Sequence, residues 1–140
     1  MTKTVRELIH DPISLAIKSV DATPDDIATA HDLRDTLAAH SDECVGMAAN
    51  MIGCHVRIIV FDDGGKYTVM YNPTIIRSDG AYRTSESCLS LPGGPRPVKR
   101  YGTIRVRYQT EDFKTRTRVC TGFTAQIIQH EIDHTNGILI

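Results

Sequence analysis

Five residues near the end of the chain, His130-Glu131-Ile132-Asp133-His134, constrain its fold more than any other stretch. Two histidines four apart share one face of an α-helix, about one turn from each other, so both imidazoles can reach a single metal ion. The glutamate after the first histidine then stands beside that ion, where it can handle a proton of water. The pattern is the helical part of a hydrolytic metal site. Only Thr135, Asn136, Gly137, Ile138, Leu139 and Ile140 follow it, and none is an Asp, Glu, His or Cys. A third ligand must come from earlier in the chain, so the fold must bring a distant segment onto a C-terminal helix.

The residues before the motif fit that helix. Ala125, Ile128 and Ile132 recur at spacings of three and four in the stretch from Gly122 to His134. Earlier, Thr23-Pro24-Asp25-Asp26 is a helix start: a capping hydroxyl, proline in the first turn, and acids at the positive end of the dipole. Ile27, Ala30, Leu33 and Leu37 continue it as one apolar stripe to about His40. Small residues crowd Cys44 to Gly53, which points to backbone packed closely against a neighbour.

Strand signals fill the middle. Val56–Phe61 and Lys66–Tyr71 read as a hairpin about the turn Asp62-Asp63-Gly64-Gly65, with Pro73 ending it. A third strand is expected near Thr74 to Arg77, then a Pro- and Gly-rich loop from Leu91 to Gly102. Ile104–Tyr108 and Thr115–Val119 alternate as half-exposed antiparallel strands do. One early helix, a run of strands and one late helix give an α+β fold: antiparallel sheets packed around the C-terminal metal-binding helix. Residues 1–140, with no repeat, linker or low-complexity segment, are expected to form a single domain.

Charge excludes some functions. Sixteen basic and 17 acidic side chains give a net charge of −1, with no electrostatic case for direct nucleic-acid binding or for an anionic membrane surface. Arg96, Lys99, Arg100, Arg105 and Arg107 form a local basic cluster that reads as a solvated strand face. No stretch is long enough to span a membrane, and Met1–Glu7 lacks the apolar run of a signal peptide. The expected location is the cytoplasm, with all four cysteines reduced.

Those cysteines are the candidates for the missing ligand. Cys120 lies ten residues before His130, and the intervening helix would carry it about 12–15 Å away. Cys44, Cys54 and Cys88 remain open. Cys88 is favoured, because Ser85-Glu86-Ser87-Cys88-Leu89-Ser90-Leu91-Pro92-Gly93 passes from polar to apolar before a loop, a place for an exposed thiolate.

Three short motifs, in order, now carry a resemblance: Cys44-Val45-Gly46-Met47-Ala48-Ala49-Asn50-Met51, Glu86-Ser87-Cys88-Leu89-Ser90, and His130-Glu131-Ile132-Asp133-His134. The chain resembles the peptide deformylases. The resemblance implies Cys88, His130 and His134 as ligands of one divalent metal, ferrous iron first, with zinc or nickel as substitutes. It implies Glu131 as the catalytic carboxylate and the backbone N–H of Leu89 facing the developing oxyanion. Val45, Gly46 and Ile127 would line the pocket for the first substrate side chain, with Met51 and Glu86 also at the substrate. The implied reaction removes formyl from N-formylmethionyl peptides, a substrate met close to the ribosome.

The sequence departs from the family pattern in places. Met51 replaces a glutamine whose amide helps hold the formyl oxygen. Asn50 next to it should point elsewhere. Ser87 replaces a glycine, which narrows the cleft, and many relatives continue past the position of Ile140. Cys44 replaces the first glycine, close enough to be a further soft ligand or an oxidation hazard. A missing oxyanion donor costs about 10²–10³ in rate, so Met51 implies a weak deformylase or a shift to another N-acyl peptide. The alternative is a catalytically impaired metal-binding paralogue that binds peptide N-termini or a partner. Glu131 argues against it, because a purely structural site needs no such carboxylate.

Overall fold

A computed structural model describes residues 4–140; Met1, Thr2 and Lys3, part of the polar N-terminal stretch, lie outside the described residues. A one-turn helix, α1 (Pro12–Leu15), precedes the longer α2 (Ile27–Ala39). Five strands follow: β1 (Gly46–Ala48), β2 (Ile58–Asp62), β3 (Tyr67–Cys88), β4 (Leu91–Gln109) and β5 (Thr115–Thr121). The chain ends in α3 (Gly122–Thr135). All neighbouring strands pair antiparallel in one sheet of order β1-β2-β3-β4-β5, an α+β architecture. Among the described residues no helix is long and apolar enough to cross a membrane.

The start of α2 is built as its residues dictate. Thr23 caps a 3-10 turn over Pro24–Asp26, and the Asp26 carboxylate accepts the Thr23 N–H at 2.9 Å in return. Ala30, Leu33 and Leu37 then face inward. They pack on Ile58 and Val60 of β2, whose alternate residues Ile59 and Phe61 face α3. Burial of β2 on both faces explains its unbroken apolar run. The β2–β3 connection falls at Asp63–Lys66, where Gly64 and Gly65 both take positive φ.

Two expectations fail in the middle of the chain. Pro73 does not end a strand: β3 runs on for 22 residues, through a register shift between Tyr71 and Thr74 where Asn72 takes a φ of 53°. A bulge absorbs the absent proline N–H as the strand changes partner from β2 to β4. The stretch Leu91–Gly102 is no loop; it is the first half of β4, paired with β3 from Cys88↔Leu91 back to Ala81↔Tyr101. Its other edge carries no strand, because β5 joins β4 only from Thr103, although at its base Gln129 of α3 bonds the Tyr101 N–H and carbonyl. Prolines are tolerated on such an edge, where no ladder bond is lost. The result is a two-stranded ribbon projecting beyond the sheet, with Cys88 at its tip.

Helix α3 closes on Gly137, at a φ of 75°. The Ile138 N–H bonds Asp133 O and the Gly137 N–H bonds His134 O, both at 3.0 Å, the paired bonds of a Schellman ending.

Candidate metal centre

The tip of the ribbon comes to rest on α3, and 42 residues of sequence separation close to a few ångströms. One ligand-type atom each from Cys88, His130 and His134 lies within 4.8 Å of the others. His130 and His134, one helical turn apart, bring their Nε2 atoms to 3.0 Å. Cys120, by contrast, sits in the core on β5 with Ile104 opposite.

A carboxylate network fixes the first imidazole. Glu86 Oε1 accepts from His130 Nδ1 at 2.8 Å, which leaves Nε2 turned toward Cys88 and His134. Arg100 clasps both Glu86 oxygens, at 2.6 to 3.1 Å, and Gln126 Nε2 donates to Oε2 at 2.8 Å. Burial alone would raise the Glu86 carboxyl, but the donors from His130, Arg100 and Gln126 outweigh it and hold it at about 2. Arg100 also reaches Asp133 Oδ2 at 2.7 Å. It is only 4% exposed. Reading it as part of a solvated basic face was wrong: Lys99, Arg105 and Arg107 are exposed, but Arg100 points inward to two carboxylates. Neither Arg100 nor Gln126 was legible as a site residue, because each is defined by a partner on another element.

Glu131 is 4% exposed, and no protein donor reaches its Oε1. Burial pushes its carboxyl up to about 7. It stands against Gly46: a Cβ there would lie 2.9 Å from Glu131 Oε2 and 2.7 Å from Ile127 Cγ2. The glycine is what lets β1 approach the helix this closely.

These groups line one cavity of about 530 Å³, together with Val45, Met51, Leu89, Phe123 and the segment Ser41–Cys44. Every residue expected at the metal or the substrate therefore borders it, apart from His134, whose ring meets that of His130 edge-on. Met51 is 1% exposed, and its Sδ accepts from the Ala48 N–H at 3.5 Å. Asn50 does point elsewhere: Nδ2 donates to His134 O at 2.9 Å and to Leu15 O at 3.3 Å, pinning the end of α3. Cys44 donates its thiol to Gly46 O at 2.8 Å, and burial pushes it up to about 12, so it stays a thiol.

Comparison with known proteins gives the family and the fold. The family model for polypeptide deformylase matches residues 3–140. The chain belongs to the polypeptide deformylase family. It is 48% identical over 136 residues to the peptide deformylase of Clostridium beijerinckii, across 97% of this chain and 99% of that protein. Identity to the peptide deformylase of Dictyoglomus thermophilum is 35%, covering 100% of this chain and 91% of that one. Among solved deformylases, the Met-Ala-Ser-bound class I type b enzyme of Acinetobacter baumannii superimposes with a TM-score of 0.87 at 25% identity, over 98% of this chain and 97% of that chain. The Thermotoga maritima peptide deformylase superimposes with a TM-score of 0.85 at 27% identity, over 99% and 95% of the two chains.

Proposed function

We propose that this chain is a metal-dependent peptide deformylase that releases formate from N-formylmethionyl peptides. The observation that carries the reading is the meeting of Cys88, His130 and His134 beside Glu131 at the wall of one cavity. One thiolate and two imidazoles suit a borderline divalent ion such as Fe²⁺, Zn²⁺ or Ni²⁺. Two nitrogens bound at 2.0–2.1 Å in tetrahedral geometry lie about 3.3 Å apart, close to the 3.0 Å between the two Nε2 atoms. Three protein ligands leave a position open, as a catalytic site requires.

When bound, the ion supplies Lewis-acid chemistry to water and to the formyl carbonyl. The protein does the rest. Val45, Gly46, Ile127 and Phe123 take the methionyl side chain along the apolar wall. Glu131 accepts a proton from the attacking water at Oε1 and passes it to the leaving amine. The Leu89 N–H, in the turn after Cys88, faces the oxyanion. Glu86 holds His130 in the tautomer that presents Nε2.

Met51 sets the rate. It offers no N–H to the cavity, and its sulfur is already engaged with the Ala48 amide. One oxyanion donor fewer slows turnover relative to a deformylase with glutamine there. Formate release by anaerobically purified protein, from formyl-Met, acetyl-Met and free-amine peptides, tests the reading. Formyl-specific release is expected. Release of acetate instead would move the substrate to another N-acyl peptide, and no release with metal bound would favour a binding paralogue.

A further inference from the structure

The ribbon that carries Cys88 is two strands wide, with no strand on its outer edge along Leu91–Gly102. Two-stranded ribbons hold themselves weakly, so the position of the tip depends on what anchors it. At the ribbon's base Gln129 of α3 bonds the Tyr101 N–H and carbonyl, at 2.8 and 2.7 Å; nearer the tip Gln126 donates to Glu86, and the rest of the anchor is ionic. Glu86, two residues before Cys88, gives both carboxylate oxygens to Arg100 and Oε1 to His130. The remaining edge of the same guanidinium takes Asp133, between the two histidines of α3. Three segments meet on one side chain: the ribbon tip, the returning strand β4 and the metal-site helix. A buried charge cluster of this kind adds little net stability, but it specifies which segments meet and in what register.

We propose that Arg100 is a positioning residue for the Cys88–His130–His134 site, holding the ribbon tip, and so the Cys88 sulfur, in register against α3. The inference rests on the metal-site reading above. Lysine keeps the charge but cannot fork between Glu86 and Asp133. Arg118 offers a matched control, because it makes its own two-pronged pair with Asp63, at 2.7 and 2.8 Å, at the β2–β3 turn rather than on α3.

The test is titration of the metal-free full chain with Co²⁺ against a competing chelator, read by thiolate-to-cobalt absorption. Arg100→Lys should weaken Co²⁺ binding about 10- to 100-fold and diminish the thiolate band, while Arg118→Lys leaves both unchanged. Wild-type affinity and spectrum in Arg100→Lys would overturn the proposal, as would equal losses in both variants. If Arg100→Lys does not fold, the half-buried Asp133→Asn is measured in its place. It should weaken binding at least about threefold, and wild-type behaviour there would also overturn the proposal. A wild-type chain that gives no thiolate band fails differently: it removes the metal-site reading itself.

Discussion

Glu131 and Gly46 define each other at the heart of the cavity. The carboxylate is buried, one oxygen has no protein donor, and the other lies where any side chain at position 46 would go. Glu131→Gln keeps the shape and the neighbouring ligands but cannot accept a proton, so bound metal should persist while formate release is lost. A variant as fast as its parent would remove Glu131 from the proton-transfer step. Gly46→Ala should displace Ile127 and Glu131 together, lowering kcat with little change in metal content. Met51→Gln is the opposite experiment. The side chains are similar in length, and the amide would add one oxyanion donor, so kcat should rise at least about tenfold. No gain, from a parent that is already fast, would show that another donor fills that place.

Elements hold these residues at fixed distances, and the ends of α3 matter most. Gly137 cannot accept a Cβ: its φ is 75°, and the added atom would clash with the Ala16 carbonyl. Gly137→Ala should cost about 1–3 kcal/mol and lower Tm by several degrees, with the loss concentrated in the last turn, which carries His134. Hydrogen exchange at the His134 and Thr135 amides would locate it. At the β2–β3 turn, Arg118 holds the Asp63 carboxyl at about 2, below its ordinary 3.8. The pair therefore stabilises above the ordinary value and loses its effect as pH falls through about 2. Asp63→Asn should lower Tm at neutral pH by a few degrees and by much less at pH 2, by scanning calorimetry. Equal losses at both pH values would contradict the assignment. The same scale shows what sequence reveals. The cap at Thr23, the Gly64–Gly65 turn and the β4–β5 alternation are local and were legible. Pro73 and the prolines after Leu91 misled, because a strand tolerates proline at a bulge or on an unpaired edge, and both are set by partners far away in sequence.

At the scale of the whole molecule, the fold brings a residue from far upstream onto the helix that carries both histidines. A ribbon made by residues 81–101 reaches from the sheet to the C-terminal helix and delivers a cysteine 42 residues upstream of the first histidine. The helix half of the site was legible because its spacing is periodic. Among Cys44, Cys54 and Cys88, local context favoured Cys88 but left the others open, and motif resemblance singled it out, since no local signal says that the ribbon folds over α3. Arg100, which bridges Glu86 near the ribbon tip to Asp133 on the helix, was hidden among exposed basic neighbours. The central claim is that this long-range meeting makes one metal site. The direct measurement is metal content per chain after anaerobic purification, for the wild type, Cys88→Ala and Cys120→Ala. The account predicts one divalent ion per wild-type chain, nearly none in Cys88→Ala, and a full complement in Cys120→Ala. Equal loss in both variants, or none in Cys88→Ala, would contradict it.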